Sequence, residues 1–221
     1  MHYYGATLIT KHNGQHCLKL NGMAFSYRIN TEVLYYQNAI NHMEKALPLY
    51  EVRELVKNYG CDNETTYEEI LPATKESLNN AIQAVINFAC CAESCYNLSI
   101  NEYYRNNHIK HDCKKLLRLP VPDKIKQINI FYTNIIPQSL IADLLLLSKV
   151  RNAMVHYSEP IVYCGGNVMG EQFLLLKKAN IINFRQSVDT LLTSFHQQCI
   201  LASDIRCPST PVIGEGDIIF E

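Results

Sequence analysis

The sequence carries almost no net charge: 20 Lys and Arg against 21 Asp and Glu leave a formal −1 over 221 residues. A chain without a global positive field can meet nucleic acid only through a local basic patch or a groove between two copies. Long apolar runs are also missing. The densest, Leu140 to Leu147, is interrupted by Asp143 and is far shorter than the roughly 20 residues that span a bilayer. No glycine-rich phosphate loop, nucleophile elbow or paired-histidine metalloprotease helix is present, and Gly165-Gly166 reads as a turn. The sequence also lacks any Cys-x-x-Cys pair, which removes the commonest zinc-module spacing. Hydrophobic content of 48% with 19% charged residues excludes wholesale disorder.

His2-Tyr3-Tyr4-Gly5 is not a basic region leading into an apolar core, so no secretion signal is expected. The nine cysteines, an odd number, are then expected as reduced thiols in a cytoplasmic protein with no membrane association. Two Asn-Gly pairs, Asn13-Gly14 and Asn21-Gly22, separate alternating stretches within residues 3–29 and predict a small β meander. Asn30 to Gly60 reads as helical and broken near Pro48, and the polar stretch Cys61 to Thr66 reads as a boundary. Apolar residues then recur at helical spacing, and helices are expected over 74–104, 122–134, 138–158 and 179–203. Glycine-punctuated segments around Gly165-Gly166-Asn167 suggest a hairpin between the last two. The expectation is a mainly α protein. Residues 1–66 would hold the meander and short helices, 67–205 an antiparallel helical bundle, and 206–221 an extended tail.

One stretch organises the rest. From Ser139 to Pro160 an apolar helix ends in Arg151, Asn152 and His156. Asn152 and His156 are four apart and share a helix face, and the long fork of Arg151 reaches the same place. Leu144, Leu145 and Leu147 would anchor that end firmly. An arginine, an amide and an imidazole so placed can grip a phosphate and move a proton beside it. The bland alternative is that Arg151 and His156 simply complement the negative end of a helix dipole.

Leu145 to His156 reads Leu-Leu-Leu-Ser-Lys-Val-Arg-Asn-Ala-Met-Val-His and resembles the signature helix of the HEPN superfamily, in which Arg and a polar residue precede His after a gap of four to six. The resemblance covers about Thr74 to Ser203 and implies a helical bundle acting as a homodimer, with two signature helices facing one another. It implies metal-independent cleavage of RNA, with no cofactor, in a toxin or phage-defence setting that includes a cognate antitoxin or regulatory protein. Arg151, Asn152 and His156 would be the catalytic residues. Tyr157 would contact RNA, although some family toxins carry a tyrosine one place later, where this chain has Ser158. Other members only bind nucleotide, nucleic acid or partner proteins, and that alternative stays open.

The pattern has rivals in this same sequence. Chance alone supplies roughly one Arg–His pair at these gaps in a chain of this composition. A second copy exists, Arg105-Asn106 followed by His111, and it reads as part of a polar connector with no apolar helix before it. Lys114 and Lys115, with Lys110 and Arg118, form a short basic run that suits phosphate contact. Tyr103 and Tyr104 nearby could stack on bases. Cys90, Cys91, Cys95, His108, His111 and Cys113 make a Cys/His-rich neighbourhood, for which ordinary burial is favoured over metal.

Overall fold

A computed structural model describes residues 7–12, 15–20, 23–50, 64–109, 113–155, 176–201, 204–207, 210 and 213–219. Side chains are described for 30–48, for 50, and from 75 onward to 210 within those spans. The fold is mainly helical. Helix α1 (Thr31–Ala46) follows directly on the strands and buries Val33, Tyr36, Ala39, Met43 and Ala46, a spacing of three or four throughout. Its last turn tightens into a 3-10 turn at Leu47–Leu49, where Pro48 cannot continue the ladder. The Tyr50 hydroxyl then donates to the Leu176 carbonyl at 2.6 Å, tying this end to the start of the last helix.

Helix α2 (Glu64–Asn106) is the spine. At 1.5 Å per residue, its 43 residues run about 65 Å. Ala81, Ala84, Ala92, Cys91, Cys95 and Ser99 are all buried on it, and such small side chains let neighbouring helices come close on more than one side. Helix α1 packs along it, as do the later helices. Phe88 meets Tyr36 of α1 edge-on, with ring centroids 6.4 Å apart. The helical spacing of apolar residues predicts this helix only from Thr74. The helix instead starts at Glu64 and runs through Pro72, so the last residues of the expected boundary, 64–66, belong to it, while 61–63 lie outside the described residues.

A short turn of helix, α3 (Lys114–Leu117), leads into α4 (Val121–Phe131), which has proline in its first turn, where a missing N–H costs nothing. Asn129 clamps the next turn: its amide donates to the Ile136 carbonyl at 2.9 Å and its oxygen accepts from the Ile136 N–H at 2.8 Å. That clamp supports Thr133 and Asn134 at positive φ, 52° and 60°. Helix α5 (Gln138–Val155) starts right after Pro137 and buries Leu140, Leu144, Leu147 and Val150 against α2 and α6. Leu145 is only half-buried, so the anchoring falls to Leu144 and Leu147. Helix α6 (Lys178–Gln197) buries Ile181, Phe184, Val188, Leu191, Leu192 and Phe195. Ile181 is the inward residue rather than its neighbour Ile182. The Gly165-Gly166 hairpin expectation lies outside the described residues.

Strands β1 (Thr7–His12), β2 (Gln15–Leu20) and β3 (Met23–Ile29) pair antiparallel in sequence order. The breaks between them fall at the two Asn-Gly pairs, themselves outside the described residues. Strand β4 (Ile213–Ile219) comes from the far end of the chain and pairs antiparallel with β3, from Ala24 opposite Ile219 to Ile29 opposite Ile213. The tail was expected to be extended. Its partner was not foreseen.

After α6, Arg206 forks onto both oxygens of Asp204, at 2.8 and 2.7 Å, and donates to Thr193 Oγ1 on α6 at 2.7 Å. The guanidinium holds the Asp204 carboxyl down at about 2. A depressed carboxyl stabilises the fold fully above the ordinary aspartate range and loses that contribution as pH falls through its folded value. Acid titration of wild type is therefore expected to show a small loss of stability between about pH 4 and 2 that Asp204→Asn lacks, because both partners are about a third exposed and screened. Identical acid limbs in melting curves of the two proteins would remove the clamp from the stability account.

Candidate functional site

The burial of Leu144, Leu147 and Val150 dictates what the end of α5 presents. Ser148, Arg151 and Asn152 fall at the margin of the buried stripe and line an open cleft of about 270 Å³. Across from them α2 contributes Ala89, Ala92, Glu93 and Tyr96. The Leu119–Pro122 segment, at the entrance to α4, closes the third side. The cleft thus has an apolar wall of small and aliphatic groups and a polar rim of Glu93, Ser148, Arg151 and Asn152.

Arg151 is half-buried. One terminal nitrogen donates to Asn152 Oδ1 at 2.8 Å, which turns the Asn152 amide into an extension of the guanidinium. Its Nε is buried and has no hydrogen-bond partner among the described residues. A buried donor left unsatisfied costs about 1–3 kcal/mol, and more when charged. The Cys90 thiol lies beside the same guanidinium. Burial pushes that thiol up, and the charge and hydrogen bonding of Arg151 pull it part of the way back.

Two further features were not singled out from the sequence. Tyr96 is 2% exposed, lines the cleft, and its hydroxyl has no partner among the described residues. Burial holds this phenol well above the ordinary tyrosine range, so it stays a neutral donor. Glu93, one turn earlier, is 37% exposed and accepts at Oε1 from Lys124 Nζ at 3.1 Å, and Lys124 is itself only 2% exposed. The signal existed in the sequence: Glu93 interrupts an Ala89, Ala92, Tyr96 face that otherwise reads as inner. A charge on an inner helical face is seldom placed there without a partner.

The predicted residues separate as follows. Arg151 and Asn152 come together in the cleft, while His156 and Tyr157 lie outside the described residues. Lys114 and Lys115 are exposed on α3 and do not line the cleft. In the rival motif, Arg105 and Asn106 are the last residues of α2, so a long amphipathic helix does precede them, contrary to the connector reading. Arg105 is exposed and ion-paired with Glu102, and His111 lies outside the described residues. Tyr103 stacks on Phe131 with centroids 3.9 Å apart, and Tyr104 meets the same ring edge-on, so part of the aromatic surface proposed for bases is occupied internally.

Cysteine placement follows packing. Cys91 and Cys95 are fully buried in the core, and the Cys113 thiol donates to Asn101 Oδ1 at 3.1 Å. His108 is exposed at a positive φ of 51°. Among the described residues no group of three or more His, Cys, Asp or Glu side chains is placed to hold a metal ion. Nor is any helix among them long and apolar enough to cross a membrane. Comparison with known proteins finds no matching family model, no matching curated protein and no matching solved structure.

Proposed function

We propose that this protein cleaves RNA without a metal ion, as a HEPN-type ribonuclease acting as a homodimer in a toxin or defence setting. The observation that carries the reading is the pairing of Arg151 and Asn152 at the rim of one cleft, with a guanidinium nitrogen that has no partner among the described residues. In this reading Arg151 holds the scissile phosphate and neutralises the charge that grows on it. His156 accepts the proton of the ribose 2′-hydroxyl. The 2′-oxygen bonds to phosphorus, the bond to the 5′-oxygen breaks and that oxygen takes up a proton, leaving a 2′,3′-cyclic phosphate. Asn152, fixed by Arg151, orients the phosphate.

The modest size of the cleft also favours a second reading, a non-catalytic HEPN-like module that binds a nucleotide. Cleavage of RNA in EDTA separates the two. Wild type is expected to cut, His111→Ala to cut equally well, and His156→Ala to lose about two to four orders of magnitude, the usual share of a general base. Loss in His111→Ala alone would move the site to the rival motif. A folded wild type that binds nucleotides but cuts no RNA would establish the binding module.

A further inference from the structure

We infer that the cleft beside Arg151 reads guanine, with Glu93 as the residue that sets the base. The inference rests on the RNA-cleaving reading and names the nucleotide at that site. At about 270 Å³ the cleft falls just below the range of about 300–1,000 Å³ typical of drug-sized ligand sites, so it suits a single base and not a stretch of chain. Ala89 and Ala92 on one side and Pro120 and Val121 on another make smooth apolar walls for a flat ring.

The polar groups then choose among the bases. Lys124, which does not line the cleft, donates to Glu93 Oε1 at 3.1 Å, and the Glu93 carboxylate, 37% exposed, keeps further lone pairs for a ligand. A carboxylate only accepts. It is matched by two donors side by side, and among the four RNA bases only guanine offers that, as N1–H next to the 2-amino group. Cytosine and adenine set one amino group beside a ring acceptor, and uracil sets one N–H between two carbonyls, so each turns a lone pair toward a carboxylate oxygen. Tyr96, on the same face of α2 and 2% exposed, has a hydroxyl with no partner among the described residues. That hydroxyl is itself buried, so the choice of base falls to Glu93. Arg151 and Asn152 on the α5 side then lie within the same cleft for the adjoining phosphate.

Two measurements on the full chain test this. Cleavage sites of wild type and Glu93→Gln are mapped on a random-sequence RNA, and binding of 3′-GMP and 3′-AMP to both proteins is titrated. Wild type is expected to cut next to guanine about 10- to 100-fold faster than next to the other bases, and to bind 3′-GMP over 3′-AMP by a similar factor. Glu93→Gln is expected to erase both preferences, since the amide pairs only one of the two donors, while its oxygen can still accept from Lys124. Cutting without base preference, or with a preference unchanged in Glu93→Gln, overturns the inference and leaves RNA cleavage standing. Selective 3′-GMP binding that depends on Glu93 in a protein that cuts no RNA supports the base site and overturns the cleavage reading. Equal binding of both nucleotides with no cleavage overturns both. The wild-type comparison needs no variant to fold.

Discussion

Arg151→Ala is expected to lower RNA cleavage by about two to three orders of magnitude in kcat, with a much smaller change in KM. A donor that meets the charge developing on a phosphate acts mainly in the transition state. Its removal is therefore felt in kcat. Arg151→Lys is expected to recover little of the loss. Lysine keeps the charge but not the planar fork, and it cannot both hold Asn152 at 2.8 Å and present a second donor in a fixed direction. The same pair of variants tests the helix-end alternative. If Arg151 only complements the dipole of α5, alanine costs a few tenths to about 1 kcal/mol of stability, lysine restores it, and activity is untouched. Single-turnover cleavage with both variants, beside their urea midpoints, distinguishes the two roles. Full rescue by lysine would exclude the bidentate role.

Much of the helical core was legible because it obeys periodicity. Ile182, Phe184, Val188, Leu191, Leu192 and Phe195 recur at helical spacing as one expected face of α6, and all but Ile182, whose place Ile181 takes, are buried there. What escaped was non-local. The start of α2 lies ten residues before Thr74 because the apolar periodicity becomes regular only from Leu78, whereas burial further along the helix sustains the whole element. Nothing within residues 206–221 announces a partner strand at Met23–Ile29, since backbone pairing across so long a separation leaves no mark on either segment alone. At the site, Arg151 and Asn152 were visible because they are neighbours in sequence. Glu93 and Lys124 are thirty-one residues apart on different helices, so their pairing appears only once α2 and α4 are packed. A charged side chain on an inner face was the trace they left.

That ion pair carries the second large expectation, and its size depends on which partner is removed. Glu93→Ala is expected to destabilise the protein by about 3–5 kcal/mol, because it leaves Lys124, 2% exposed, as a buried charge with no counter-ion. Lys124→Met is expected to remain within about 1 kcal/mol of wild type, or above it. The thioether chain refills the buried space that the lysine stem occupies, while Glu93, 37% exposed, is left to water. Urea unfolding of the two variants, compared through their midpoints at unchanged slope, measures the asymmetry. Equal losses would mean that the burial of Lys124 does not set the cost. The asymmetry also bears on function. A lysine that is dispensable for stability yet holds one carboxylate oxygen at 3.1 Å is a positioning residue, so Lys124→Met should leave the fold intact while loosening whatever selectivity Glu93 imposes.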